Sequence, residues 1–213
     1  MSVKLQWATP NADKQIMFMA RVSNPEGQNS ENSRLLNYCM EHGHVSPFEM
    51  ASACIEINTT RDIGRQILRH RSFSFQEFSQ RYQDVSTLGG DMVERKCRLQ
   101  DTKNRQNSIE VDDYVLHAEW SMEQNRVWEI AISAYNQALK NGIAKEQARA
   151  LLPEGLTPSR LYMSGTMRSW VHYLKQRLHV STQKEHRLIA EQVLEQLRTV
   201  APITMAAFFG DAQ

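Results

Sequence analysis

Cysteine is scarce, with three in 213 residues, at positions 39, 54 and 97. An odd number at wide spacing makes no disulfide framework, so a reduced, intracellular setting is the default. Long apolar runs are missing. None exceeds the five residues of Ile16 to Ala20 or Met205 to Phe209, whereas a spanning helix needs about 20. The opening Met-Ser-Val-Lys-Leu-Gln-Trp lacks the basic-then-apolar order of a secretory signal. A soluble, cytoplasmic protein without membrane contact is expected. No two of the nine glycines stand as G-x-G, and no G-x-x-x-x-G-K-[ST] occurs. The Rossmann turn and the P-loop are therefore excluded at motif level. H-E-x-x-H and C-x-x-C are also absent. His42-Gly43-His44 resembles half a metal site, but no third ligand stands at a suitable spacing, so no metal is expected. Excess charge is lacking too, since 25 Lys and Arg face 24 Asp and Glu. That balance argues against a protein that coats nucleic acid.

The chain does hold material for a core, with 41% hydrophobic and 23% charged residues. Neither repeat nor linker divides it, so residues 1–213 read as a single domain. Val3, Leu5 and Trp7 alternate with polar residues and predict a short strand with those three on one face. A helix is expected from Pro10 or Asn11 to about Val22, then a polar loop over 23–32. A second helix carries Leu35, Leu36, Cys39 and Met40, with Gly43 placed to end it. Ala51, Ala53, Ile55 and Ile57 predict a strand. Thr60 could cap a helix bearing Ile63 and Ile67 on one face and Arg61, Arg65 and Arg69 on another. Residues 84–114 read as a long excursion with one strand near 93–99. Beyond it, helices are expected on the face Val127, Ala131, Ala134 and Ala138, over 144–152, over 158–178, and over 182–200 on Ile189, Val193 and Leu197. This is an α+β pattern with a helical C-terminal half, not a doubly wound sheet.

Charge is unevenly spread. Residues 61–105 carry ten basic and six acidic groups, and Arg61, Arg65, Arg69, Arg71 and Arg81 lie within 21 positions without a lysine. The planar guanidinium fork suits phosphate and planar polar rings, although a salt-bridged helix surface is the plain alternative. The densest run is Arg69-His70-Arg71-Ser72-Phe73-Ser74-Phe75-Gln76-Glu77-Phe78-Ser79-Gln80-Arg81-Tyr82. Cations and hydroxyls make a phosphate cradle, a lone Glu accepts from a ribose hydroxyl or ring N–H, and aromatics offer stacking surface. The run reads as a nucleotide site. Single-stranded nucleic acid would suit it too, but the near-neutral total favours a small ligand. Among the cysteines, Cys39 lies on an apolar helix face and Cys54 in a strand. Cys97 stands between Lys96 and Arg98, which could lower its pKa. Buried or incidental thiols are expected rather than a nucleophile.

The same run fits R-H-R-x7-S followed by x-R-Y, and so resembles the signature of the flavin-dependent thymidylate synthases. Ala20-Arg21-Val22-Ser23 is similar to that family's A-R-V-S, and His42-Gly43-His44-Val45-Ser46-Pro47-Phe48-Glu49 to its H-G-H-x-[ST]-P-F-E. Arg149 with Pro153, Arg168, His172 and Arg177 can be laid on its C-terminal elements. The blocks span about residues 20–185 in order. Gln76, Met50, Thr166 and Ser181 depart from the pattern, standing where Asn, His, Asn and His are common.

The resemblance implies a compact α+β domain with a small, mainly antiparallel sheet, assembling as a homotetramer with active sites shared between subunits. It also implies reductive methylation of dUMP to dTMP. The carbon donor is 5,10-methylenetetrahydrofolate, and FAD reduced by NADPH supplies hydride. Gln66, Arg69, Glu77, Ser79, Gln80, Arg81, Arg149 and Arg177 match the dUMP-contacting positions. His44, Ser46, Arg69, His70, Arg71, Glu77, Thr166, Arg168 and His172 match the FAD-contacting ones. Arg177, at the uracil ring, is the catalytic candidate. A fixed guanidinium there favours the ionised N3 and makes C5 nucleophilic without a protein thiol. Two alternatives stand beside this. One is hydroxymethylation, or methylation of another pyrimidine nucleotide such as dCMP, on the same scaffold. The other is a non-catalytic nucleotide- or nucleic-acid-binding module.

Overall fold

The computed structural model describes residues 1–211. Its elements are β1 (Ser2–Ala8), α1 (Ala12–Ala20), α2 (Arg34–Glu41), β2 (Ser52–Thr60), α3 (Arg61–Ile67), β3 (Ser74–Glu77), β4 (Arg98–Gln100), β5 (Ser108–Glu110), α4 (Tyr114–Lys140), α5 (Lys145–Ala148), β6 (Pro158–Thr166), α6 (Met167–Arg177), α7 (Lys184–Arg198) and α8 (Pro202–Phe209). A four-stranded sheet has the order β1-β2-β6-β3, antiparallel at every pairing, and β4 and β5 form a separate hairpin. The expected α+β class and small antiparallel sheet are found. Among the described residues no helix is long and apolar enough to cross a membrane.

Period-two alternation builds the sheet. Ile55 pairs with Met163 and Ile57 with Leu161, and all four are fully buried. The intervening Glu56 faces Tyr162 across the same ladder, on the polar side. Helices cover the apolar face. Trp170 of α6 and Ile189, Val193 and Leu197 of α7 join the buried strand residues in one core. That core burial is the main driving force, at roughly 25 cal/mol per Å² of apolar surface removed from water.

The register decides where the site forms. Ser52 pairs with Thr166 and Thr60 with Pro158, so β2 and β6 run in opposite directions. Each continues without a break into a helix, β2 into α3 and β6 into α6. The two helices therefore start at opposite ends of the sheet and run toward each other.

Several expectations need correction. Residues 158–178 are not one helix, because 158–166 form β6, which lies between β2 and β3. Leu161 and Met163 point inward while Arg160 and Tyr162 point out, which is strand periodicity. Trp7 is half exposed rather than facing inward with Val3 and Leu5. A register shift between Leu5 and Trp7 sends it to the other face. On α4 the buried residues are Gln124, Trp128, Tyr135 and Ala138, so the face expected through Val127 and Ala134 is displaced and only Ala138 of it is buried. The excursion at 84–114 holds the hairpin β4–β5 rather than one strand at 93–99. β3 and α8 were not expected. α8 is held by buried Asp13, whose carboxylate accepts from Ile203 N (2.7 Å), Thr204 N (3.1 Å) and Thr204 Oγ1 (2.5 Å).

Candidate active site

Where α3 and α6 run out, their C-terminal ends meet. Arg177, in the last turn of α6, donates from Nε to Nε2 of His70, three residues beyond α3, at 2.9 Å. Helix C-termini favour a cation, so this is a suitable seat for a guanidinium. His70 is buried, and its pKa is lowered to about 4, first by burial and then by the charges of Arg177, His172 and Arg69. It is therefore a neutral acceptor at ordinary pH. Burial likewise lowers the pKa of Arg177, yet an arginine stays protonated. Among the described residues its terminal nitrogens have no hydrogen-bond partner and it makes no carboxylate ion pair.

The arginines sort into two kinds. Arg61 pairs with Glu77 (3.6 Å), Arg65 with Glu154, Arg81 with Glu146 (3.2 Å) and Arg168 with Glu49. Arg69, Arg71, Arg149 and Arg177 have no carboxylate partner among the described residues. Arg149 donates only to the carbonyl of Glu146 (3.3 Å). The four unpaired cations are all among the expected ligand contacts.

Around Gln80 lies a cavity of about 380 Å³ lined by Arg61, Arg65, Gln80, Glu146, Arg149 and Glu154. Gln80 is almost fully buried, and its Nε2 has no hydrogen-bond partner. An orphaned amide donor costs about 1–3 kcal/mol unless something accepts from it, and here it stands among three arginines. Glu77 is steadied by Ser159 Oγ (3.0 Å) as well as by Arg61. Ser79 and Arg81 line a neighbouring cavity of about 440 Å³, which shares Glu146 with the first.

A third cavity, of about 410 Å³, lies between α6 and residues 45–49. Its wall combines apolar Val45, Phe48, Val171 and Phe208 with cationic Arg168 and Lys175, and with His172. Thr166 caps α6, accepting from Ser169 N at 3.2 Å. Ser169 Oγ in turn donates to the carbonyl of Ser72 at 3.1 Å, tying α6 to the segment after Arg71. His44 and Ser46 are exposed beside this cavity but do not line it. His42, the other half of the suspected metal pair, stacks on Tyr38 at 4.0 Å between centroids.

The expected residues thus fall into three groups. Ser79, Gln80, Arg81 and Arg149 gather at the two cavities that share Glu146, and Glu77 lines neither but pairs with Arg61 of the first. Gln66, His70 and Arg177 belong to a partly buried polar cluster, in which His70 is buried and the other two are half-buried. Arg168 and His172 line the third cavity, with Thr166 capping the helix that carries them. Arg69 and Arg71 are exposed between these groups. Sequence reasoning missed Tyr173, Gln183 and His186, which complete the network around Gln66 and Arg177.

The family model described as "Thymidylate synthase complementing protein" matches residues 4–203. The chain belongs to the flavin-dependent thymidylate synthase family. It is 47% identical over 177 residues to a probable flavin-dependent thymidylate synthase of Paramecium bursaria Chlorella virus 1, covering 82% of this chain and 80% of that one. It is 48% identical over 178 residues to the flavin-dependent thymidylate synthase of Synechocystis sp., covering 82% and 79%. Among solved structures, the UMP/dUMP methylase PolB from Streptomyces cacaoi bound with 5-Br dUMP superposes with a TM-score of 0.87. That match has 28% identity and covers 99% of this chain and 95% of that one. Family members use FAD, and the donor set of this chain fits it. Unpaired Arg69 and Arg71 suit a diphosphate, and the mixed apolar and cationic cavity at His172 suits a ring system with polar edges. Cys39 and Cys54 are buried with pKa values raised by that burial, and Cys97 is buried as well, the reverse of an activated nucleophile's exposure.

Proposed function

We propose that this chain, as one domain over residues 1–213, converts dUMP to dTMP in the cytoplasm. The carbon comes from 5,10-methylenetetrahydrofolate, NADPH is the reductant, and no protein cysteine acts as nucleophile. Arg177, held on a neutral histidine with both terminal nitrogens free, is the observation that carries this reading. A cation fixed in that way stabilises the N3-ionised uracil, and the electron-rich ring makes C5 nucleophilic toward the methylene carbon of the folate, whose C–N bond breaks as the new C–C bond forms. Arg149, Gln80, Ser79 and Arg81 bind the nucleotide with Glu77 and Arg69. The orphaned Gln80 amide and the arginines donate to phosphate through charge-assisted bonds worth roughly 1.5–3 kcal/mol each.

His44, Ser46, His70, Arg71, Thr166, Arg168 and His172, with Arg69 and Glu77, hold the flavin. Bound FAD supplies the hydride that completes the methyl group. The Gln80 and His172 cavities are separate within one chain, and each is smaller than a dinucleotide with its substrate. A homotetramer in which neighbouring subunits complete each site accounts for that separation.

A second reading keeps the scaffold and changes the substrate. The superposition with a UMP/dUMP methylase favours testing UMP as well, and dCMP probes the base edge. Mass spectrometry of the products from dUMP, UMP and dCMP, each with FAD, NADPH and methylenetetrahydrofolate, separates these. A methylated product from dUMP is expected. A hydroxymethylated product would assign the sister reaction, and no product without retained flavin would leave a binding module.

A further inference from the structure

The pair His70–Arg177 has a neighbour that the reaction as described does not use. His186 on α7 is fully buried, and no sequence motif includes it. Its Nδ1 stands 3.3 Å from Gln66 Oε1 and its Nε2 3.2 Å from the Tyr173 hydroxyl. Gln66 Nε2 donates to Gln183 Oε1 at 2.7 Å, and Gln183 Nε2 donates to Glu185 Oε2 at 3.0 Å. Glu185 is buried as well, and it accepts from Arg98 at 2.5 Å and faces Arg95 at 3.5 Å.

The polarity of this chain follows from its charged end. Burial alone would disfavour the Glu185 carboxylate, but Arg98, a backbone N–H and Gln183 donate to it and leave its pKa below the ordinary value. An ionised carboxylate only accepts, so Gln183 must turn its amide N–H toward it and its carbonyl toward Gln66. Gln66 must then give an N–H to Gln183 and turn its own oxygen to His186. That oxygen requires a proton on His186 Nδ1, which leaves Nε2 bare to accept from Tyr173. Burial raises the pKa of the tyrosine, so its hydroxyl keeps the proton to give. Every donor points the same way from Tyr173 to Glu185, and reversing any amide would set two donors or two acceptors face to face.

We propose that His186 is a positioning residue for nucleotide binding, fixing the Gln66 carboxamide in one orientation so that its remaining donor and acceptor meet dUMP without a search over flipped states. The inference rests on the assignment of Gln66 to the nucleotide. It also gives residues 84–114 a role, because Arg95 and Arg98 anchor the Glu185 carboxylate that sets the polarity. A supporting shell of this kind converts a flexible side chain into a preorganised contact.

The test uses His186→Leu and His186→Asn in the FAD-loaded enzyme, read by steady-state kinetics with dUMP. Leucine fills the volume without a donor, whereas the asparagine amide can replace the Nδ1–H. His186→Leu should raise the KM for dUMP roughly ten-fold, as expected for one lost hydrogen bond, with kcat changed far less. His186→Asn should restore most of the affinity. In a Gln66→Ala background, His186→Leu should add nothing to KM. If Leu and Asn variants of equal thermal stability show the same KM, or if the effects of Gln66→Ala and His186→Leu simply add, His186 is only a packing residue and the inference fails. A wild-type enzyme that neither binds nor converts dUMP would instead overturn the functional assignment on which it rests.

Discussion

Arg177 Nε donates to His70 Nε2 at 2.9 Å, joining the end of α6 to the centre of the R-H-R run. The contact uses the one guanidinium N–H that points along the side chain and leaves the two terminal nitrogens free. A lysine has no equivalent of this fork. Arg177→Lys should therefore keep the charge but lose the orientation. Turnover of dUMP should fall roughly 10²–10³-fold, the cost of removing one preorganised donor from a developing anion. Flavin absorbance per subunit should stay within a factor of about two. Equal loss of flavin and turnover would remove Arg177 from the uracil ring.

Acid should weaken the fold through two histidines. His70 titrates at about 4 and His186 at about 3, each lowered first by burial, against 6.5 ordinarily. Between those limits the unfolded chain binds protons that the native chain refuses, so stability falls as pH drops below about 6.5. Each histidine contributes a slope of about 1.4 kcal/mol per pH unit where its unfolded form is protonated and its native form is not. Guanidinium unfolding at pH 7, 6 and 5 measures it, and His186→Leu should remove about half of the slope. A curve that is flat down to pH 5 would show that neither histidine is held neutral.

Much of this arrangement can be read from the chain. The α7 face follows from Ile189, Val193 and Leu197, and β2 from strict alternation. The run 69–82 stands out by its composition and order. β6 is hard to see in the sequence because Leu161 and Met163 are its only two buried large apolar residues and a helix follows directly at Met167. β3 has only four residues, and its inward positions are Phe75 and the charged Glu77, so no apolar alternation marks it. His186 was legible in one respect, since it stands three residues before Ile189 and so shares its buried face. Its partners were not legible. Gln66 is 120 residues away in sequence, and the two meet because α3 follows β2 directly while α7 packs back across α6 and the sheet.

Two glycines beside the site should respond in opposite ways. A Cβ at Gly165 would stand 2.5 Å from Phe73 Cδ1, and that ring is already wedged against Trp170 at 4.7 Å between centroids. Gly165→Ala should cost about 1–3 kcal/mol through overpacking, and should weaken FAD binding by displacing the segment that follows Arg71. At Gly64 the nearest atoms to an added Cβ would be Glu77 Oε1 at 3.4 Å and Leu161 Cδ2 at 3.6 Å, which is ordinary contact. Gly64→Ala should leave stability unchanged or raise it by up to about 1 kcal/mol, because it replaces a helical glycine. Thermal unfolding of both variants checks the contrast, and similar shifts would remove Phe73 as the obstacle.

Asp13 and α8 give a more distant handle on the cavity at His172, proposed above to hold the flavin. The Asp13 carboxylate, nearly fully buried, accepts three hydrogen bonds at the start of α8, and Phe208 at the far end of that helix lines the cavity beside Lys175 and His172. Phe208 is fixed from two sides, edge-on against Phe48 at 5.0 Å and beneath Lys175 Nζ at 4.7 Å. Asp13→Ala leaves two backbone N–H groups and a hydroxyl without their acceptor and should cost roughly 2–3 kcal/mol of stability. Loosening α8 should then carry Phe208 out of place and weaken FAD binding, measured as flavin released on dilution. Asp13→Asn keeps one acceptor oxygen and should fall between the two. A destabilised Asp13→Ala enzyme that holds flavin as tightly as the wild type would show that Phe208 forms no part of the flavin wall.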